Sequence, residues 1–215
     1  AGGLVAMLIS EVALHAADFP PAYNDHQRLF VEYDSVRGWR NIANGHGRFV
    51  TPEFSVDLEY NSHSYRGPLR PYAKPPGVFR VVLLGDSYLE GYTVALRDRV
   101  AEVTQRILED APGARPAQVV ALGTGGYSTD QELLWLESEG VRYDPDLVIV
   151  LFVTNDIWFN NQTQYPRGPK PVFRLAGDSV VLSNVPVPRP VPVAPTSPDP
   201  ESLRLVQRNK RLLHK

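Results

Sequence analysis

The chain has 215 residues, 43% of them hydrophobic and 21% charged, which is enough to bury the core of one ordinary domain and excludes a disordered tail or a coiled coil. Its 22 basic and 24 acidic residues give a net charge of −2, so it lacks the basic excess of a general nucleic-acid binder. The sequence has no cysteine, which excludes disulfides, thiol nucleophiles and cysteine-based zinc sites, and its five histidines show no zinc-hydrolase spacing.

The N-terminal run over residues 1–10 is apolar and stops at Glu11. A membrane span needs about 20 such residues, so ten cannot cross a bilayer. Three interpretations stay open: the end of a membrane anchor, a buried helix, or part of a signal peptide. We treat residues 1–16 as an anchor remnant or helix, through which the protein would associate with a membrane.

Residues 17–77 form an irregular extension that is rich in aromatic residues, proline, asparagine and glycine. Two pieces, 35–40 and 61–68, are typical of loops or edge strands that pack on a larger body. A Lys-Pro-Pro-Gly segment at 74–77 then breaks the chain before the regular part.

Three apolar runs predict strands, at 79–84, 118–122 and 146–153. The first two end in glycine, as buried parallel strands often do. Between the strands, residues 97–110 and 129–139 predict helices. The order β-α-β-α-β implies a parallel sheet with right-handed crossovers.

The two helices carry more specific expectations. The apolar face of the first is predicted to consist of Val100, Val103, Ile107 and Leu108. In the second, Thr129 is predicted to be the N-cap, because Glu132 follows three residues later at capping-box spacing.

Residues 158–200 leave this pattern and read as an insertion. A hairpin is predicted from 172–175 and 180–182 around the turn at 176–178. Seven prolines in 185–200 predict an extended, solvated segment. Residues 201–215 resume a helical pattern with five basic residues against one acidic, which fits a solvated helix face or a contact with a membrane surface or anionic polymer.

Each predicted strand is followed by a polar or glycine-rich motif: 85–91, 123–129 and 154–156. Ligands of open α/β sheets bind outside the carboxyl ends of the strands. A serine after a strand, glycine N–H groups and an asparagine amide together can supply a nucleophile and an oxyanion hole. The convergence of the three motifs is the evidence for a catalytic site.

Each motif by itself has an ordinary structural explanation. Ser87 fits a helix N-cap or turn, Gly126 a tight turn, and Asn155 with Asp156 a loop cap. The sequence contains its own control, because Gly177-Asp178-Ser179 repeats the tripeptide of residues 85–87 within the predicted hairpin turn. We assign no catalytic role to that second copy.

Residues 78–160 resemble the SGNH hydrolases, or GDSL esterases and lipases. The resemblance implies Ser87 as nucleophile, with an oxyanion hole formed by the Ser87 N–H, the Gly126 N–H and the Asn155 amide. Gly85, Asp86 and Asp156 are implied as supporting residues, and Gly123 and Gly125 are alternatives to Gly126. The segment Asn61-Ser-x-x-x-Arg-Gly67 and the later hairpin are similar to a membrane-associated bacterial branch.

The sequence departs from the family pattern in three places. Ala121 stands where the second block usually has asparagine, and Val153 where the third usually has glycine. The C-terminal Asp-x-x-His that would supply the base and its orienting carboxylate is missing, since His214 follows Arg211 at that spacing. Two explanations are a sequence that stops before this block and a protein without hydrolytic activity. His63 or His46 could act as a substitute base.

The resemblance implies a three-layer α/β/α sandwich with a mostly parallel, flavodoxin-like sheet, in which residues 78–215 form an incomplete hydrolase core. It implies hydrolysis of an oxygen ester, or acyl transfer through the same intermediate, without metal or organic cofactor. Without its histidine, residues 1–215 should be nearly inactive.

The expected substrate is a short acyl group on a carbohydrate or similar polymer of the cell envelope, on its periplasmic or extracellular face. Besides the N-terminal apolar run, a polar segment at 160–165 and four aromatic residues suited to sugar rings support this expectation. These are Trp39, Tyr60, Tyr65 and Tyr72. The main alternative is a non-catalytic, glycan-binding envelope module. A nucleotide-binding domain is disfavoured, because no Gly-x-Gly-x-x-Gly follows the first strand and no Walker-type lysine is present.

Overall fold

The computed structural model describes residues 3, 5, 6, 10, 12, 26–51, 53–113 and 115–190. The five isolated positions near the N-terminus are helical. The rest of the N-terminal apolar run and the helix predicted over 201–215 lie outside the described residues. No helix of the described part has the length and apolarity needed to cross a bilayer.

The described secondary structure begins with an N-terminal extension and continues into an α/β core. The helices are α1 (His26–Phe30), α2 (Ser87–Glu90), α3 (Val100–Asp110), α4 (Thr129–Ser138) and α5 (Thr154–Phe159). The strands before the core are β1 (Val31–Asp34), β2 (Gly38–Asn41), β3 (His46–Val50) and β4 (Ser55–Glu59). Those of the core and insertion are β5 (Phe79–Gly85), β6 (Ala117–Gly123), β7 (Leu147–Val150), β8 (Gln164–Tyr165), β9 (Gly168–Pro169), β10 (Val172–Ala176) and β11 (Ser179–Ser183). Single 3₁₀ turns lie at Leu96–Asp98 and Gly140–Tyr143.

The core is a three-stranded parallel sheet in the order β6-β5-β7. Val82 in the central strand pairs with Val120 on one side and with Val148 on the other. The parallel β-α-β-α-β prediction is confirmed. Strand β7 is shorter than predicted, ending at Val150, although the Leu151 N–H still bonds to the Leu84 carbonyl at 2.8 Å.

Side chains of the central strands alternate between two apolar layers, because successive residues of a strand point to opposite faces. Val82 and Leu84 pack with Trp135 of α4, whereas Val81 and Leu83 pack with Ala101 of α3. Helices therefore cover both faces, and the predicted α/β/α fold class is confirmed.

Strand β7 is the exception to this coverage. All four of its residues are exposed, at 37–46% for Leu147, Val148, Ile149 and Val150, and β5 is its only strand partner in the described part of the chain. A parallel strand is normally covered on both faces. The sheet is thus open along β7.

The predicted apolar face of α3 is wrong in part. Val100 and Ile107 are 45% and 65% exposed, and the buried face is instead centred on Ala101. Leu108 packs on the sheet as expected, and Gln105 bonds the Ala117 carbonyl at 2.8 Å and the Val119 N–H at 2.7 Å. A polar residue that ties the helix to β6 therefore lies on this face, which a hydrophobicity pattern could not show.

The predicted cap of α4 is also wrong. Ser128 is the N-cap, and its N–H bonds the side-chain oxygen of Gln131 at 3.3 Å. Thr129 is the first helical residue, and Glu132 is buried instead of capping. The two capping-box spacings differ by one residue, so the sequence pattern alone could not separate them.

The extension packs on the core through its aromatic residues. Trp39, Tyr60 and Tyr65 are each at most 3% exposed, and Trp39 and Tyr65 belong to the apolar cluster of the sheet. Tyr72 is half-buried and stacks on His63 at 4.6 Å. The expectation that these rings offer a sugar-binding surface is wrong for the three buried residues, because their faces are used in packing.

The predicted hairpin of the insertion is confirmed as β10 and β11, which pair from Val172–Ser183 to Ala176–Ser179. The second Gly-Asp-Ser copy lies at its turn, as expected. The proline-rich segment is not solvated throughout: Val187 is 1% exposed and its N–H bonds the Ser35 carbonyl at 2.7 Å. The carbonyl of Val187 accepts a hydrogen bond from the Tyr33 hydroxyl at 2.5 Å. The proline-rich segment therefore crosses the β1–β2 hairpin.

Candidate active site

The three predicted motifs meet at the carboxyl edge of the sheet. Gly85 and Gly123, which end β5 and β6, are paired in register, and the Thr124 N–H bonds the Gly85 carbonyl at 3.3 Å. The third motif begins α5, which follows β7. The parallel arrangement therefore brings together segments that are far apart in the sequence.

Ser87 opens the short helix α2 and is partly exposed. Asp86 caps this helix, since one of its carboxylate oxygens accepts the Tyr88 N–H at 2.9 Å. The Ser87 hydroxyl makes no hydrogen bond to another described residue, so it is free to face a ligand. It borders a pocket of about 480 Å³. The pocket is lined by Ser87, Tyr88, Gly91, Tyr92, Thr93, Val94, Asp98, Arg99 and Val100.

Gly126 lies in a tight turn after β6. The Tyr127 N–H bonds the Thr124 carbonyl at 3.1 Å, and Gly126 has φ of +79°, the pattern of a type II turn that requires glycine. A Cβ at this position would also lie 2.6 Å from a ring carbon of Tyr165 in the insertion. No described residue accepts the Gly126 N–H. Gly126 can therefore both form the tight turn and donate its N–H to a ligand.

The other two glycines of this motif have different roles. A Cβ on Gly123 would lie 2.6 Å from the backbone nitrogen of Glu90, so this glycine allows α2 to approach β6 closely. The N–H of Gly125 is already bonded to a carboxylate oxygen of Glu90 at 2.5 Å. Of the three candidates, the geometry favours Gly126 as the free donor.

Asn155 reaches the first motif from α5. Its amide nitrogen lies 3.4 Å from a carboxylate oxygen of Asp86, the residue before Ser87. Asp156 is buried, and one of its carboxylate oxygens accepts the Val153 N–H at 2.9 Å, which fixes the first turn of the helix. The side chain of Asn155 thus lies beside the serine motif, where its nearest partner is Asp86.

Besides Glu90, four buried acidic residues lie beneath this edge of the sheet: Asp86, Asp130, Glu132 and Asp156. Asp130 forms a buried ion pair with Lys170 of the insertion. Burial, followed by the nearby charges of Asp156, Asp86 and Asp130, raises the pKa of Glu132 to about 8. Burial likewise raises the pKa values of Asp86 and Asp156. Glu132 is therefore protonated at neutral pH.

No residue in the described part of the chain compensates for the burial of the Glu132 carboxyl group. It is 1% exposed, and neither of its carboxyl oxygens makes a hydrogen bond to a described residue. In the described part of the chain, no group of three or more His, Cys, Asp or Glu side chains has an arrangement that could hold a metal ion. The sequence pattern predicted only a capping role for Glu132, whereas its carboxyl group is buried beside the site.

The two histidines considered as substitute bases lie away from Ser87. His63 bonds the Tyr143 hydroxyl at 2.5 Å, and the Tyr143 carbonyl accepts a bond from Arg80 at the start of β5. His63 is thus at the amino edge of the sheet, opposite the site. His46 is exposed on β3 and its nearest partner is a backbone carbonyl at 3.5 Å. No described histidine hydrogen-bonds the Ser87 hydroxyl.

Glu90 is the residue of this region that sequence reasoning missed. It is fully buried, and its second carboxylate oxygen accepts the Tyr60 hydroxyl at 2.5 Å and lies 3.2 Å from Nε2 of His26. The sequence did contain one signal for Glu90: it lies three residues after Ser87, on the same short helix. Its partners in the extension left no local signal, because they are about 30 and 64 residues away in the sequence.

Comparison with known protein families points to the part of the chain that contains the candidate site. A model of the GDSL-like Lipase/Acylhydrolase family matches residues 83–213, which include all three motifs at the sheet edge. No curated protein matches the chain.

Proposed function

The chain belongs to the GDSL-like lipase/acylhydrolase family, and we propose that within this family it is an ester hydrolase with Ser87 as nucleophile. Family membership supports a general esterase or hydrolase activity. The identity of the nucleophile, the oxyanion donors and the substrate are the parts that we add. The single observation that carries the proposal is that Ser87, whose hydroxyl bonds no described residue, lines a pocket beside the other two motifs.

In the proposed reaction, the Ser87 hydroxyl attacks the acyl carbonyl of the ester and the alcohol leaves from the tetrahedral intermediate. The N–H groups of Ser87 and Gly126 and the amide of Asn155 donate hydrogen bonds to the oxyanion. Water, or the hydroxyl of a second sugar, then takes the acyl group from Ser87. Asp86 supports this arrangement by capping α2 and by holding the Asn155 amide until substrate arrives.

A serine hydroxyl needs a base to remove its proton. His26, His46 and His63 have other partners and none of them bonds Ser87. We propose that the base is a histidine from outside the described residues, oriented by an aspartate. The activity therefore depends on a part of the protein beyond the sheet edge described above.

For the substrate we propose a short acyl group on a carbohydrate or a similar polymer of the cell envelope. A pocket of about 480 Å³ suits a small acyl group with part of its alcohol. Tyr88 is 69% exposed beside Ser87 and lines the pocket, so an aromatic face is available to a sugar ring. Tyr88 therefore takes the part that the sequence pattern had suggested for Trp39, Tyr60 and Tyr65, which are buried.

Fluorophosphonate labelling of the native protein, with mass spectrometry of the labelled peptide, tests the nucleophile. We expect label on Ser87, none in Ser87→Ala, and unchanged labelling in Ser179→Ala, which alters the second Gly-Asp-Ser copy. A native protein that binds acylated glycan but takes no label at Ser87 would instead support the non-catalytic glycan-binding module.

Substrate choice is tested by comparing acetylated xylan-type oligosaccharides with a long-chain triglyceride. We expect deacetylation of the oligosaccharides at a rate at least tenfold higher than release of fatty acid, because the pocket of about 480 Å³ is small and its lining includes the charged residues Asp98 and Arg99. A preference for the triglyceride would reject the carbohydrate assignment while leaving the nucleophile intact.

A further inference from the structure

A fully buried carboxylate links the serine helix to the glycine turn. Glu90 lies on α2 with Ser87, and one of its oxygens accepts the Gly125 N–H at 2.5 Å. The other oxygen accepts the Tyr60 hydroxyl at 2.5 Å and lies 3.2 Å from His26. Glu90 thus connects three segments of the chain: the serine helix, the turn after β6 and the N-terminal extension.

Charge-assisted hydrogen bonds of this kind are stronger than neutral ones, and they hold the buried carboxylate in its ionised form. Burial alone would raise the pKa of Glu90, but the bond and charge of His26 and the bond from Tyr60 leave it below its ordinary value. The ionised carboxylate accepts the hydrogen bonds from Gly125 and Tyr60. Glu90 thus holds the peptide between Thr124 and Gly125 through the Gly125 N–H.

The next peptide, between Gly125 and Gly126, is held by the extension. The Trp39 indole donates to the Gly125 carbonyl at 3.1 Å, and the Asn41 amide lies 3.3 Å from both the Gly123 carbonyl and the Thr124 hydroxyl. Both donors lie on β2, outside the part of the chain that matches the family model. The glycine turn is consequently fixed at several points by residues that precede the hydrolase core.

We propose that Glu90 is a positioning residue of the oxyanion hole: by binding the N–H of Gly125 it orients the turn so that the N–H of Gly126 is directed at the oxyanion that forms when Ser87 attacks the ester. The proposal rests on the function proposed above. It gives the extension a catalytic purpose, because Tyr60 and His26 hold Glu90 in place. Gly125 cannot serve as the donor in this arrangement, since its N–H is already bonded.

The chain offers a matched control in Glu139. This residue accepts the Tyr72 hydroxyl at 2.9 Å and the Trp135 indole at 3.0 Å, and it lies 3.6 Å from His63. Its partners therefore resemble those of Glu90, but it lies at the opposite edge of the sheet. Losing either carboxylate removes the acceptor of a tyrosine hydroxyl and of a second N–H donor, although the Glu139 network is only partly buried, and only Glu90 should affect the oxyanion hole.

The first readout is hydrolysis of p-nitrophenyl acetate by the native protein and its variants. For Glu90→Ala we expect kcat to fall about 10- to 100-fold with KM changed less than about threefold, because an oxyanion donor acts on the transition state. Glu90→Gln keeps an oxygen acceptor for the Gly125 N–H and should restore kcat to within about fivefold of the wild type. Glu139→Ala should leave kcat within about twofold. An equal loss in Glu90→Ala and Glu139→Ala would overturn the proposal.

The second readout does not need catalysis. Amide hydrogen exchange at Gly125 should become at least about tenfold faster in Glu90→Ala and stay unchanged in Glu139→Ala, because only the first variant frees this N–H. If the wild type neither hydrolyses esters nor takes label at Ser87, the proposed function fails. Faster exchange would still support the orientation of the turn by Glu90, and unchanged exchange would overturn it.

A milder variant covers the case in which Glu90→Ala does not fold. Tyr60→Phe removes one donor to Glu90 but leaves the carboxylate in place. We expect a three- to tenfold fall in kcat, roughly the effect of losing one supporting hydrogen bond, together with faster exchange at Gly125. No change in either quantity would overturn the part of the proposal that concerns the extension.

Discussion

Replacing Glu132 by glutamine should make the protein more stable at alkaline pH and have little effect in mild acid. Glu132 is 1% exposed, and burial with the neighbouring Asp156, Asp86 and Asp130 charges raises its pKa to about 8 from 4.5. Folding must therefore keep a proton on this carboxyl while the unfolded chain loses it. Glutamine has nearly the same shape and never ionises.

The sign follows from proton linkage. Between pH 4.5 and 8 the folded wild type binds more protons at this site than the unfolded chain, so its free energy of unfolding falls as pH rises. Above pH 8 the folded protein also releases the Glu132 proton, and the free energy of unfolding falls no further from this group. At about 1.36 kcal/mol per pH unit, the wild type should lose about 4 kcal/mol relative to Glu132→Gln between pH 5 and pH 8.5.

The value of about 4 kcal/mol is an upper limit. Removing the Glu132 charge also makes it easier for Asp86, Asp130 and Asp156 to ionise. Lys170, the cation packed against this cluster, is paired with Asp130 in both proteins. The total free energy of unfolding of a domain is about 5–15 kcal/mol, so the predicted change is easily measured.

The assay is urea denaturation of both proteins at pH 5 and pH 8.5. Glu137→Gln, an exposed position on the same helix α4, is the control and should show a difference under about 0.5 kcal/mol at both pH values. A stability difference between Glu132→Gln and the wild type that stays constant within 1 kcal/mol, roughly the accuracy of the extrapolation, would refute the protonated buried carboxyl.

Two further substitutions test the oxyanion hole. Asn155→Ala should lower kcat about 10²- to 10³-fold with little change in KM, as loss of a donor to the transition state does, and a change under fivefold would remove Asn155 from the oxyanion hole. Gly126→Ala should lower kcat and also destabilise the protein, because a Cβ would meet Tyr165 at 2.6 Å at a φ of +79°. Gly177→Ala has φ of +61° with nothing within 4 Å, so thermal denaturation should show only the backbone cost there, about 1 kcal/mol, and a larger loss for Gly126→Ala.

The sequence alone determined the core architecture, because its signals are local. Apolar runs ending in glycine predicted β5 and β6, and alternation with helical periodicity predicted the parallel order. The same reasoning placed the three motifs at one sheet edge, since the carboxyl ends of parallel strands meet there. It also separated the two Gly-Asp-Ser copies, because turn residues between short apolar runs specify a hairpin.

The tertiary structure decided which residues surround these motifs. The contact of Glu90 with Gly125 joins positions 35 residues apart, and the bonds from Trp39 and Asn41 to the glycine turn span more than 80. The pKa of Glu132 depends on burial and on the charges of Asp156 in α5 and of Asp86 at the cap of α2, as well as on Asp130 of its own helix. Periodicity and motif spacing report only neighbours along the chain, whereas hydrogen bonding, burial and charge at a site depend on every segment that folds against it.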